Sequence, residues 1–242
     1  MGRLKKAMLW VAGLALLTAL IWLPRFDDEP AWTRWSLPLS GKTIVIDPGH
    51  GGPDGGAKGK DNTEEKDIAL VVAKKIQSYL QQAGAIVYLT RETDVDLAGK
   101  NTKGLSRRKA EDIRKRLTLI HDKEADFFVT VHLNSLQATQ WHGAQTFYNP
   151  ESNKSKHLAK MIQAEMTQQL ENTNRQALAL KHIYLLKHAE IPGALLEIGF
   201  LSNEKERELL KMDDYQEKVA ASIYNGILRY VTEEPEEEEQ DS

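Results

Sequence analysis

The chain has 242 residues, of which 41% are hydrophobic and 28% charged, enough for one domain with a sizeable core. It has no cysteine, which excludes disulfides and thiolate ligands, so any metal must be held by His, Asp or Glu. The net charge is -3, but Glu233 to Asp241 holds seven acids and no base; setting that tail aside leaves +4. No long Lys/Arg stripe interleaved with aromatics is present, so nucleic acid is not expected as a partner.

Arg3, Lys5 and Lys6 precede an uncharged run from Ala7 to Leu23. A basic head before an apolar run is the pattern of a signal peptide or signal-anchor. No Ala-x-Ala site follows it, which favours an uncleaved anchor over a cleaved signal. At about 1.5 Å per residue the run reaches ~26 Å, within the range for spanning a bilayer. The basic side would stay in the cytoplasm and place the remainder outside, anchored or secreted. The expected organisation is therefore this segment over residues 1–25, a linker over 26–40, a domain over 41–232 and a disordered acidic tail over 233–242.

Within the domain, Thr43 to Ile46 is a β-branched run with the pattern of a buried strand. It ends in Asp47-Pro48-Gly49-His50-Gly51-Gly52, a turn at the strand's carboxyl end, where open α/β sheets keep their ligand sites. A glycine-rich loop over Pro53 to Asn62 follows. Thr63 is placed to cap a helix from Glu64 to about Gln82, with Glu65, Ile68, Val72, Ile76 and Tyr79 on one stripe. Ile86 to Thr90 reads as a strand, and Arg91 to Lys109 as a long loop.

Ala110 to Lys123 reads as a helix buried through Ile113, Leu117 and Ile120. Strands are expected at Phe127 to Leu133, Gly143 to Tyr148, Ile183 to Leu186 and Ala194 to Ile198. Helices are expected at Ser155 to Glu171 (with Leu158, Ile162, Met166 and Leu170 as its stripe), Glu204 to Leu210 and Tyr215 to Val231. The pattern predicts an α/β domain with a twisted mixed sheet of about six strands, covered by helices on both faces.

Four ionisable residues stand at strand or helix ends: His50, His132, Glu197 and Glu65. Glu197 lies in the otherwise apolar Ala194-Leu195-Leu196-Glu197-Ile198, and such a carboxylate is costly to bury unless paired, metal-bound or protonated. Glu65 sits in a first helical turn, where a carboxylate also suits the helix dipole. Its neighbour Glu64 is a competitor, but its stripe runs through Lys75. Two histidines and one carboxylate with an open position match a catalytic zinc site, and a second carboxylate beside it would serve as general base.

Four ordered stretches carry a resemblance: Asp47-Pro48-Gly49-His50-Gly51-Gly52; Glu65-Lys66-Asp67; Val131-His132-Leu133-Asn134; and Leu196-Glu197-Ile198-Gly199-Phe200-Leu201-Ser202-Asn203. They resemble the motif series of the family 3 N-acetylmuramoyl-L-alanine amidases, zinc hydrolases of bacterial peptidoglycan. The likeness runs from about Lys42 to Tyr230. It implies one Zn²⁺ per chain held by His50, Glu65 and His132, with Glu197 as the catalytic carboxylate. The implied reaction cuts the amide between the muramic acid lactyl group and L-alanine of the stem peptide.

Within the family the chain is most similar to the spore-cortex enzymes of spore formers, in its short N-terminal segment and in Leu97-Ala98-Gly99-Lys100-Asn101 and Ile183-Tyr184-Leu185-Leu186-Lys187-His188. That likeness implies a step toward muramic δ-lactam, in the space between the forespore membranes. His121 and Leu133 depart from the family's usual Asn and small residue.

Arg91, Arg116 and Asn134 are candidates for holding substrate carboxylates or sugars, against a reading as surface charge or structural hydrogen bonds. The basic cluster of Arg107, Arg108, Lys109, Arg114, Lys115 and Arg116 fits anionic glycan, a partner or a solvated face. An activating protein partner is one expectation, with the 91–109 loop as its point of control. Rival readings are a non-catalytic peptidoglycan-binding protein or amidase activator, and a zinc peptidase or deacetylase acting on the same polymer.

Overall fold

The computed structural model describes residues 2–22 and 37–235, which fall into two units. The first contains one helix, α1 (Arg3–Trp22). Among the described residues, no helix is long and apolar enough to cross a membrane. The end of the expected anchor at Leu23, most of the linker and the tail beyond 235 lie outside the described residues.

The second unit is built on a six-stranded sheet in the order β2-β1-β3-β6-β4-β5. The strands are β1 (Thr43–Pro48), β2 (Ile86–Leu89), β3 (Phe127–Asn134), β4 (Gln145–Tyr148), β5 (Leu178–Ala179) and β6 (Gly193–Phe200). β2, β1, β3 and β6 pair in parallel, β4 runs antiparallel to β6, and β5 runs parallel to β4. The sheet is therefore mixed. Its helices are α2 (Glu65–Gln82), α3 (Leu105–Asp122), α4 (Asn153–Leu170), α5 (Tyr184–His188), α6 (Glu204–Lys211) and α7 (Asp213–Thr232).

Alternation along the central strands sorts these helices onto the two faces. Ile44, Ile46, Val129, Val131, Leu196 and Ile198 pack with the stripes of α2, α4 and α7. Val45, Phe128 and Leu195 point the other way, toward Ile120 of α3 and Leu185 and Leu186 of α5. The expected stripe of α4 (Leu158, Ile162, Met166, Leu170) is buried as a unit. Leu39, assigned by sequence to the linker, is fully buried in the first of these cores, so the packed domain starts before Gly41.

Three elements differ from the sequence reading. Ile183 to Leu186 is not a strand: Tyr184–His188 forms a short helix, and Leu185 and Leu186 both enter one core. A four-residue apolar run fits either period, so tertiary packing decided it. The sixth strand is instead β5, whose residues are both exposed and carry no alternation signal; the ladder to β4 alone defines it.

The expected loop ends early as well, because α3 begins at Leu105. Its first turns are exposed and charged, so no apolar stripe marks them. Its most buried positions are Asp112, Arg116 and Ile120, with Ile113 and Leu117 only half-buried. Finally, Thr63 does not cap α2. Its hydroxyl donates to Asp61, and loop carbonyls of Ala57 and Gly55 accept the N–H groups of Glu65 and Lys66.

Arg116 occupies the middle of this architecture at 1% exposure. Its Nη1 donates to Asp47 Oδ1 and to the Pro48 carbonyl, both at 2.7 Å; its Nε donates to Asp112 Oδ2 at 2.9 Å. Asp47, equally buried, also accepts the hydroxyls of Thr90 and Thr130. Burial alone would raise the Asp47 carboxyl, but the Arg116 charge and these hydrogen bonds outweigh it and hold it below the usual range.

Two predictions follow from this pair. Arg116→Met should cost about 3–5 kcal/mol, because it strands a buried carboxylate; urea unfolding would show a lowered midpoint with an unchanged slope. A carboxyl depressed in the folded state stabilises above its unfolded pKa and loses that contribution as pH falls through the folded value. Stability of the native chain should therefore decline below about pH 4. Asp47→Asn, already weakened, should lack that part of the decline in parallel unfolding curves.

Candidate metal centre

The site forms where β1, β3 and β6 end and α2 begins. His50 follows β1 with φ +60, a left-handed conformation rare for a side chain-bearing residue. Surrounding bonds over-determine it. The Gly49 N–H donates to Val131 O at 2.9 Å, Gly51 and Asp54 exchange backbone bonds, and Arg116 Nη2 donates to the His50 carbonyl. Arg91, 3% exposed, adds Nη2 bonds to the carbonyls of Gly49 and Lys66, tying the turn to the first residues of α2.

Close approach explains two of the glycines. A Cβ on Gly49 would lie 2.4 Å from the His132 ring, and one on Gly56 would lie 2.4 Å from Glu65 Oε2.

His50, Glu65 and His132 converge, with one potential ligand atom from each lying within 4.8 Å of the others. Glu65 Oε1 is 2.8 Å from His132 Nδ1 and accepts the Leu133 N–H; its Oε2 is 3.2 Å from His50 Nε2 and accepts the Ala57 N–H. The imidazoles stand edge to face, centroids 5.0 Å apart. The other His50 nitrogen, Nδ1, lies 2.8 Å from Asp54 Oδ2, which fixes the ring and leaves Nε2 facing Glu65. Lys109 approaches the same Asp54 oxygen at 3.0 Å.

Burial works against a charge on His50, but its hydrogen bonds to the Asp54 and Glu65 carboxylates outweigh it and raise its pKa to about 9. Burial likewise would raise the Glu65 carboxyl, yet bonding to His132 and His50 holds it far below the usual range. The pocket thus favours positive charge at the point where the three side chains meet.

Glu197 stands beside this cluster, since β3 and β6 pair His132 directly with Glu197. Its Oε2 is buried and has no hydrogen-bond partner among the described residues. Burial, with repulsion from Glu65, pushes its pKa up to about 7 against the pull of the two histidines. A carboxyl poised near neutrality is suited to general acid and base work. Glu64, the competitor in sequence, pairs instead with Lys58 and Lys66.

The tentative substrate residues fare differently. Asn134 is half-buried at the end of β3, two residues beyond His132. Arg91 and Arg116 are buried with their donors committed to the turn, which fits their structural reading and leaves them no exposed guanidinium for a substrate. The basic cluster is also largely spent: Arg108 pairs with Asp96, Lys109 with Asp54 and Lys115 with Glu111, while Arg107 and Arg114 are exposed.

Sequence reasoning missed Asp47, Asp54 and Glu206. Asp47 carried the signal used for Glu197, a carboxylate in an apolar strand. Glu206, 4% exposed, accepts the N–H groups of Gly143 and Phe200 and clips the end of β6. Asp54 and Glu206 lie in a glycine loop and a short helix, where spacing alone carries no geometry.

Two histidines and a carboxylate, converging beside an unpartnered carboxylate, form a donor set suited to zinc. Comparison with known proteins identifies the family. The chain is 49% identical over 232 residues to the germination-specific N-acetylmuramoyl-L-alanine amidase of Bacillus subtilis strain 168, covering 95% of this chain and 98% of that one. The solved CwlD amidase from Clostridioides difficile, in complex with the GerS lipoprotein, superposes with TM-score 0.77 and 43% identity over 79% of this chain and 98% of that one. The catalytic domain of CwlV, an N-acetylmuramoyl-L-alanine amidase from Bacillus (Paenibacillus) polymyxa, gives TM-score 0.69 and 30% identity over 79% and 98%. The N-acetylmuramoyl-L-alanine amidase family model matches residues 44–229, a span that holds the whole converging site, and the chain belongs to that family.

Proposed function

We propose that this site hydrolyses the amide between the N-acetylmuramic acid lactyl group and L-alanine of the peptidoglycan stem peptide, in a zinc-dependent reaction. The observation that carries this reading is the convergence of His50, Glu65 and His132 beside the orphaned Glu197 Oε2. His50, Glu65 and His132 would hold the ion. When bound there, zinc supplies an acidified water and a Lewis acid for the lactyl carbonyl.

The protein's own part falls to Glu197 and the groups around it. Ionised Glu197 takes the proton of the attacking water as the new bond to the lactyl carbon forms. It returns that proton to the L-alanine nitrogen as the C–N bond breaks, so one carboxyl serves as base and acid. Burial places its pKa where both transfers are accessible near neutral pH. Asp54 keeps the His50 ring in one orientation throughout.

The similarity to the germination-specific enzyme supports spore cortex as the polymer and muramic δ-lactam formation as the outcome. The likeness to an amidase solved with a lipoprotein supports an activating protein partner. Action outside the cytoplasm, between the forespore membranes, follows from that substrate. The basic head and apolar run of α1 support a signal or membrane anchor, as a sequence argument.

Glu197→Gln should bind zinc stoichiometrically, by elemental analysis, yet turn over about 10²–10⁴-fold more slowly on purified peptidoglycan. Turnover close to that of the native chain would contradict the assignment. For the native chain, kcat/KM should rise with pH as Glu197 deprotonates near 7, and the variant's residual rate should lack that limb. Glu65→Gln should lose zinc in equilibrium competition with a chelator, whereas Glu64→Gln should retain it.

A further inference from the structure

We infer that Arg175 and Trp141 form a subsite for a stem-peptide carboxylate, placed along the sheet from Glu197. This rests on the amidase reading above and names a part of the substrate that the metal centre does not hold.

Arg175 lies in the segment between α4 and β5, and its guanidinium is stacked on two aromatic rings. Its Cζ is 5.2 Å from the Phe200 ring centre and 6.0 Å from that of Trp141. Phe200 is buried, whereas Trp141 is 49% exposed. One nitrogen, Nη1, donates to the Gly143 carbonyl at 2.5 Å. Among the described residues no acceptor meets Nε or Nη2, and no carboxylate forms an ion pair with this arginine. The buried Glu206 lies close enough to feel the Arg175 charge, but its oxygens are engaged by the N–H groups of Gly143 and Phe200 and by Asn172 rather than by the guanidinium. Half of a preorganised fork is thus left open to an anion, and the matching acceptor is a carboxylate.

Two registers fix its place. Glu197 pairs with His132 and Phe200 with Asn134, a register shift in β6 that sets the two about 7 Å apart along the sheet. Gln145 pairs with Glu197 across β4 and β6, and Gly143, which anchors Arg175, precedes Gln145 by two residues. Gln145 Nε2 also donates to the carbonyl of Gln176, the residue after Arg175. A peptide advances at most about 3.6 Å per residue, so the second residue past the scissile amide reaches this distance and the third extends beyond it. Those residues carry free carboxylates in an acidic stem peptide. The exposed indole offers a flat surface beside them.

The test compares the full chain with Arg175→Gln, Arg175→Lys and Trp141→Ala on two soluble muropeptides, one with free stem carboxylates and one with them amidated. The native chain should prefer the free acid. Arg175→Gln should lose about 10- to 100-fold in kcat/KM on the free acid, mostly through KM, the loss expected for a hydrogen-bonded charge. Its rate on the amidated form and its zinc content should match the native chain. Arg175→Lys should recover part of the loss, and Trp141→Ala should show a smaller loss of the same selectivity. Equal losses on both substrates, or none on either, would overturn the subsite alone. A zinc-loaded native chain that cleaves neither form would overturn the amidase reading and the subsite together.

Discussion

The buried pair between Arg116 of α3 and Asp47 of β1 is the constraint on which the site depends. It joins one helix to the carboxyl end of a central strand, and the same guanidinium reaches the carbonyls of Pro48 and His50. Removing the Arg116 charge leaves the Asp47 carboxylate buried with only two hydroxyls to meet it, which is far costlier than an exposed pair's loss. The pair therefore fixes the turn in which His50 adopts a left-handed backbone. Arg91 binds the same turn to the start of α2, and α2 carries Glu65. Two arginines thus set the separation between two of the three converging side chains, His50 and Glu65, before the cluster itself is considered.

The third converging side chain, His132, and the orphaned carboxylate Glu197 come from neighbouring parallel strands. Pairing of β3 with β6 brings His132 and Glu197 side by side, and strand parity points both to the α3 side of the sheet. The charge arrangement follows from this placement. Glu65 is held ionised between two imidazoles, while Glu197, one step away, meets no donor among the described residues and has its pKa pushed up to about 7. Two carboxylates a short distance apart are thereby driven in opposite directions, one held ionised and one pushed toward protonation.

Much of this was legible in the sequence because it rests on strong local signals. The buried strands, the α2 and α4 stripes and the end positions of His50, His132 and Glu197 follow from periodicity and from the cost of burying a carboxylate. Where the sequence misled, the physics was non-local. The polar stripe of Asp112 and Arg116 on the buried side of α3 is invisible to a search for apolar spacing, and Arg91, just past β2, is likewise buried against the carbonyls of Pro48, Gly49 and Lys66. β5 exists only through its ladder to β4. Asp54 finds His50 because a glycine loop folds back, a geometry that spacing does not encode. Arg175 drew no notice in sequence, since its meaning comes from two rings contributed by a loop and by β6.

The central claim is the identity of the bond that breaks, and the position of isotopic oxygen tests it most directly. Peptidoglycan digested by the zinc-loaded chain in ¹⁸O-water would be separated into glycan and peptide and analysed by mass spectrometry. Hydrolysis at the lactyl amide places one ¹⁸O in the lactyl carboxyl of muramic acid and leaves unlabelled stem peptides that begin with L-alanine. Label in a peptide carboxyl, with the lactyl amide intact, would contradict it.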